Sequence, residues 1–118
     1  MPKLRIRIEL AGGHTLGPGK VQLLEAVDEH GSISAAARSM HMSYRHAWEM
    51  LDDINQCFRE PAISTETGGR SGGGARLTEF GRALVARYRG IEARTRDAIA
   101  EDLDALVGAC REAEEPDP

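Results

Sequence analysis

Residues 31–55, GSISAAARSMHMSYRHAWEMLDDIN, decide the fold because they predict two helices joined by a very short turn. Ser34 is a favoured N-cap for a short, alanine-rich helix, and Ser43 is a favoured N-cap for a longer helix through about Phe58. Only two residues separate the predicted helices, so the helices must cross at a steep angle. This stretch therefore predicts a helix-turn-helix.

The longer helix carries one narrow apolar stripe. Ala47, Leu51, Ile54 and Phe58 recur at the spacing of a single helix face, which predicts that this face packs against the rest of the domain. The opposite side is then turned outward, and the first turns of such a helix are those that reach base edges in DNA. The predicted DNA contacts on the two helices are Ser34, Arg38, Ser43, Tyr44, Arg45, His46 and Trp48.

Simpler structural roles for several of these residues stay open. Arg45 and Glu49 are spaced to form an exposed ion pair, although such a pair can still present its arginine to guanine. Trp48, the single tryptophan, could pack beside the core. Ser43 can serve as a helix cap alone or also as a phosphate ligand.

A glycine-rich segment between two short β-prone stretches predicts a wing. Residues 68–75 read GGRSGGGA, and no acidic residue occurs between positions 67 and 78. The segment lacks the GK[ST] ending of a phosphate-binding loop, so nucleotide binding is not expected, whereas a plain flexible turn is the open alternative. Arginine suits phosphate or a narrow minor groove, and glycine allows close approach to DNA. The predicted contacts on the wing are Arg70, Ser71 and Arg76.

The segments before the helix-turn-helix predict a strand and a first helix. Residues 4–10 alternate aliphatic with charged side chains, the period of a strand with one buried face. Pro18 can open the following helix from its first turn, and Gly31 can end it in the left-handed conformation.

The last predicted helix begins after Thr78 and extends to about Cys110. Its apolar positions change phase between Ile91 and Ile99, as a four-residue insertion in a heptad pattern would produce. The stripe is longer than this small domain can cover, so we expect the same helix of a second subunit to cover its distal half. Packing back onto its own domain is the alternative. The predicted dimer interface is formed by Tyr88, Ile91, Ile99, Leu103 and Leu106.

Charge is distributed unevenly along the 118 residues. The net charge is −4, but the chain after residue 100 carries seven acidic residues and one basic residue, which leaves a net +2 on residues 1–100. The distribution of charge, more than its total, decides whether a surface attracts DNA. No segment has the length and hydropathy of a membrane span or the pattern of a signal peptide, so a cytoplasmic protein is expected. Cys57 and Cys110 have no metal-site spacing.

The stretch at 31–55, followed by TGGRSGGGARLTEFGRALVARYR at 67–89, resembles the amino-terminal DNA-binding domain of the ModE family of molybdate-responsive regulators. A looser likeness through AAARSMHMS and LTEFGRAL extends to LysR-type regulators. The similarity covers about residues 17–95. The resemblance implies that Tyr44, Arg45 and His46 lie on the recognition helix.

Two departures from the family pattern have structural consequences. His41 stands where many helix-turn-helix motifs have glycine, so it must tolerate a left-handed or bridging conformation. ModE-like regulators bind molybdate in additional carboxy-terminal domains, whereas this sequence ends at Pro118. We therefore expect a stand-alone DNA-binding half whose signal comes from another protein or from its abundance.

The prediction is a mainly α fold with a small β wing, a winged helix-turn-helix followed by a long carboxy-terminal dimerisation helix. Residues 1–77 would form the DNA-binding domain, 78–112 the dimerisation helix and 113–118 a disordered acidic tail. The predicted function is sequence-specific transcriptional regulation by a homodimer on double-stranded DNA, without cofactor, metal, membrane association or enzymatic activity. The alternative is an interaction module that pairs with another regulator without binding DNA.

Overall fold

The computed structural model describes residues 2–66 and 74–111, which form a mainly α-helical fold with two short β-hairpins. The predicted winged helix-turn-helix is confirmed. Its elements, in chain order, are β1 (Ile8–Glu9), β2 (Thr15–Leu16), α1 (Pro18–His30), α2 (Ile33–Ser39), α3 (Tyr44–Cys57), β3 (Ile63–Glu66), β4 (Gly74–Leu77), α4 (Glu79–Ala98) and α5 (Ala100–Ala109). No helix in the described ranges is both long and apolar enough to cross a membrane.

Helices α1, α2 and α3 form the helix-turn-helix with its supporting helix. Pro18 occupies the first turn of α1, and Gly31 ends that helix with a φ of 75°, both as predicted. His41 adopts a φ of 57° in the turn between α2 and α3, which is the left-handed one of the two conformations expected at this position. The tight turn sets the crossing of α2 and α3.

The N-cap of α2 is Ser32, so the assignment of this role to Ser34 was wrong. The Ser32 hydroxyl accepts a hydrogen bond from the Ala35 backbone N–H at 3.1 Å, and Ser34 lies exposed inside the first turn. The helix begins two residues earlier because Ile33 is buried and starts the apolar face. The cap of α3 is Ser43 as predicted, with its hydroxyl 3.1 Å from the His46 N–H.

The wing consists of the antiparallel strands β3 and β4, paired from Ile63 with Leu77 to Glu66 with Gly74. The Ala75 N–H donates to the Gly31 carbonyl at 2.9 Å, which fastens β4 to the turn between α1 and α2. The tip, residues 67–73, lies outside the described residues, and with it the predicted contacts Arg70 and Ser71.

The first predicted strand is shorter than expected. Only Ile8 and Glu9 pair, with Leu16 and Thr15 respectively, across a turn at Ala11–Gly13. The preceding residues lie beside α4, where the Tyr88 hydroxyl donates to the Ile6 carbonyl at 2.6 Å. Of the aliphatic side chains at positions 4–10, Ile8 and Leu10 are partly buried and pack against the core.

The last predicted helix is divided at Ile99, so a continuous helix to Cys110 was wrong. Ile99 has φ −111° and ψ 15°, and α5 begins after it. One turn earlier, the Thr95 hydroxyl donates to the Ile91 carbonyl at 2.6 Å, a contact that bends helices. The break falls in the interval where the apolar pattern changes phase.

Tyr88 is only 1% exposed and lies in the hydrophobic core of the chain. Its assignment to a dimer interface was therefore wrong, because the amino-terminal residues already cover it.

Candidate nucleic-acid interface

The front half of α3, residues 44–50, carries exposed side chains on its outer side. Ala47, Leu51 and Ile54 are buried, as the stripe predicted, and they fix which side of α3 faces solvent. On the other side the Arg45 side chain is 89% exposed and Trp48 is 48% exposed. About half of Trp48, for which packing beside the core was the simpler role considered, is therefore open to solvent.

The helix start adds its own attraction for anions. The first turn of α3 contains no acidic residue, and Ser43 leaves other amino-terminal N–H groups free of intrahelical partners. These N–H groups and the helix dipole favour a phosphate at this end. The predicted contacts that flank the helix start, Tyr44 and His46, are both exposed.

Two polar pairs follow along the outer face of α3. The Arg45 Nε donates to Glu49 Oε1 at 3.2 Å, so the considered ion pair is present. One turn further on, Gln56 Nε2 donates to Asp52 Oδ2 at 2.7 Å. Both acidic side chains are thus engaged by neighbours on the helix.

The remaining predicted contacts are also on the surface. Ser34 and Arg38 are exposed on α2. Arg76 is exposed on β4 between buried Ala75 and Leu77, the alternation of a strand that covers the core with one face. Because β4 is tied to the turn before α2, the base of the wing has a fixed position beside the helix-turn-helix.

A cluster of polar side chains that the sequence did not reveal holds the rear half of α3, residues 51–57. The Asp53 carboxylate is 2.5 Å from Lys20 Nζ in α1 and 2.8 Å from His14 Nδ1 in the amino-terminal hairpin. The pKa of Asp53 is lowered, chiefly by the hydrogen bond from Lys20, with His14 adding to the effect and partial burial opposing it. Lys20 and His14 are 33 and 39 positions away from Asp53 in the sequence, so no local pattern could have connected them.

Asn55 makes a second link from the rear half of α3. Its Oδ1 accepts from the Ala62 N–H at 2.8 Å and from the Ile63 N–H at 3.4 Å. The side chain therefore positions the start of β3, and with it the base of the wing, relative to α3.

Arg89 joins α4 to α1. Its Nη2 is 2.5 Å from Glu25 Oε1, and its Nη1 is 2.7 Å from Glu92 Oε1. Hydrogen bonds to the two carboxylates raise the pKa of Arg89, so it remains charged. The contact with Glu25 thus links α4 to α1, whereas the contact with Glu92 stays within α4.

Helix α5 lies beyond the core. Leu106 is 65% exposed and Val107 is 50% exposed, while Ile91, Ile99 and Leu103 are half-buried. None of the residues from 100 to 111 is buried. The apolar positions of α5 are therefore available to another surface.

The sequence model for bacterial regulatory helix-turn-helix proteins of the lysR family matches residues 19–82. This range runs from the second residue of α1, through α3 and the wing, into the first turn of α4.

Three similar proteins have names that refer to molybdenum or to regulation. The chain is 36% identical to the molybdenum transport protein ModE of Azotobacter vinelandii over 88% of this chain and 40% of the relative. It is 43% identical to the molybdenum-pterin-binding protein MopB of Rhodobacter capsulatus over 69% of this chain and 30% of the relative. It is 35% identical to the DNA-binding transcriptional dual regulator ModE of Escherichia coli K12 over 75% of this chain and 35% of the relative. The chain thus spans two fifths or less of the length of each of these three proteins.

Proposed function

Because this chain belongs to the lysR family of bacterial regulatory helix-turn-helix proteins, we propose that it regulates transcription by binding specific sequences in double-stranded DNA. The three relatives are matched over two fifths or less of their length, so the proposal concerns DNA binding and not the molybdenum-related activities in their names. That an effector signal reaches the module through another protein stays a prediction.

The exposed front half of α3 is the observation that carries the proposal. Arg45 extends almost fully into solvent in the first turns of the second helix of a helix-turn-helix, where base contacts are made. Arginine can donate two parallel hydrogen bonds to guanine O6 and N7 in the major groove. The proposed contacts on α2 and α3 are Ser34, Arg38, Ser43, Tyr44, Arg45, His46 and Trp48.

The wing is proposed to contact the DNA backbone. Arg76 is exposed at its base, and the proposal extends to Arg70 and Ser71 on sequence grounds. Contacts to phosphate position a protein on the duplex without reading bases.

We propose that the protein is a homodimer held by its last two helices. The exposed apolar residues of α5 support this arrangement, since none of residues 100–111 is buried. The proposed interface comprises Ile91, Ile99, Leu103 and Leu106. Changing Leu103 and Leu106 to Lys should yield monomers in light scattering, and a wild-type chain that is already monomeric at micromolar concentration would contradict the proposal.

A salt titration tests DNA binding. The protein is mixed with labelled genomic fragments at several salt concentrations, and the observed association constant should fall linearly with salt on logarithmic axes. Some fragments should bind far more tightly than scrambled duplexes at the same salt concentration. Equal and weak affinity for all fragments would favour an interaction module without specific DNA binding.

A further inference from the structure

The ion pair on the outer face of α3 uses only one edge of the Arg45 guanidinium. Nε donates to Glu49 Oε1, and this is the hydrogen bond that Arg45 makes within residues 2–66 and 74–111. The two terminal nitrogens, Nη1 and Nη2, are not engaged in it. Because the guanidinium is planar and carries five N–H donors, engaging Nε leaves both terminal nitrogens able to donate.

We propose that Glu49 is a positioning residue that orients Arg45 for reading guanine. The terminal nitrogens of arginine match guanine O6 and N7, and a carboxylate on Nε fixes the plane in which they lie. This inference rests on the proposed function, because it specifies how one residue of the DNA-binding surface reads a base.

A purely structural role accounts poorly for this pair. The side chains are 89% and 56% exposed, and an exposed pair of this spacing contributes little to stability. Arginine has many rotamers, so restraining its side chain before binding lowers the entropy lost when it contacts a base. The benefit of Glu49 therefore falls on binding and selectivity.

The pair also explains how an acidic residue is tolerated on this surface. An isolated carboxylate at the outer face of α3 would be repelled by phosphate, whereas a carboxylate paired with Arg45 forms a locally neutral unit. Asp52, on the same face, is engaged by the uncharged Gln56 and lacks such compensation. Asp52 is therefore a matched control for the charge of Glu49.

Selection from a pool of random DNA duplexes tests the inference, because it identifies the preferred site and the base preference at each position of that site together. The base preference at each position is compared among five proteins: wild type, Arg45→Ala, Glu49→Ala, Glu49→Gln and the double variant R45A/E49A. Glu49→Ala should relax the same guanine position as Arg45→Ala, by about threefold to tenfold, and the double variant should relax it no further than Arg45→Ala. Glu49→Gln, whose amide oxygen can still accept from Nε, should retain most of the preference. Asp52→Ala should tighten binding to all duplexes and leave base preference unchanged.

The outcomes separate this inference from the proposed function. A wild-type protein that enriches no duplex would overturn both. Enrichment by wild type, with Glu49→Ala behaving like Asp52→Ala, would overturn the positioning role alone. Relaxation at a different base pair would also overturn it, because Glu49 would then be reading a base directly, as carboxylates do with cytosine N4.

Discussion

The two halves of α3 have opposite relations to the rest of the molecule. In the rear half, Asp53 is bound to α1 and to the amino-terminal hairpin, and Asn55 is bound to the start of β3. In the front half, Arg45 and Trp48 extend into solvent and the described polar contacts stay within the helix. One helix is therefore fixed at its rear and left free to bind at its front.

The division shows how a small domain can present a rigid binding surface. When packing and hydrogen bonds hold one end of a helix, the side chains at the other end keep their positions although they make few contacts with the rest of the domain. We therefore expect changes in the rear half to alter stability and changes in the front half to alter binding.

The largest effect should come from the buried side of α3. Leu51→Ala removes a side chain that is nearly fully buried, and the remaining cavity should lower the free energy of unfolding by about 2 to 5 kcal/mol. Denaturant unfolding measures this loss, with Trp48→Ala as the control from the exposed face. Similar losses for the two variants would erase the distinction between the two sides of the helix.

Arg45→Ala should affect binding and spare the fold. Losing a bidentate contact should weaken binding to the selected site by about 1 to 3 kcal/mol and relax one base position in each half-site. The free energy of unfolding should change by less than about 0.5 kcal/mol, because the exposed pair with Glu49 contributes little. Titration of selected and scrambled duplexes, together with thermal unfolding, measures both quantities. Unchanged affinity with an intact fold would exclude Arg45 from base reading.

Asn55→Ala tests the link between the rear of α3 and the wing. The variant leaves the Ala62 N–H without its side-chain acceptor, which should lower the free energy of unfolding by about 1 to 2 kcal/mol. Gln56→Ala is the control, since Gln56 is exposed and bonds only to its neighbour Asp52 among the described residues. Should both variants unfold alike, Asn55 would have no special part in holding the wing.

Local signals in the sequence were sufficient for much of the fold. The Ser43 cap, the buried stripe of α3 and an uncommon backbone conformation at His41, left-handed or bridging, were all predicted, since each depends on residues within a few positions. The resemblance to a ModE-like domain is confirmed by the family match and by the relatives.

Features that depend on distant parts of the chain were missed or misassigned. Tyr88 was assigned to a dimer interface on its helical spacing alone. That spacing could not show that residues near Ile6, 82 positions earlier, cover it. Ser34 was wrongly predicted as the cap of α2. The start of that helix depends on the burial of Ile33, and burial is a property of the packed domain that the local sequence does not show. The Asp53 cluster joins three segments and has no local pattern. The DNA contacts themselves stay predictions.

The smallest effect, and the most specific test of how the rear of α3 is held, concerns Asp53 and pH. The folded-state pKa of Asp53 is lowered from the ordinary value of 3.8, chiefly by the hydrogen bond from Lys20. The stabilising contribution of the carboxylate is therefore present above about pH 4 and is lost as pH falls through the lowered pKa. The carboxylate is 37% exposed and screened by water, so Asp53→Asn should lower the free energy of unfolding at pH 7 by no more than about 1 kcal/mol. The difference in the free energy of unfolding between wild type and variant should shrink below pH 4, because a protonated aspartate resembles asparagine in charge.

Denaturant unfolding at pH 3 and pH 7 measures this difference, with Asp52→Asn as a control for a carboxylate on the same helix outside the cluster. A difference of equal size at both pH values would show that the ionised carboxylate does not hold α3 in place.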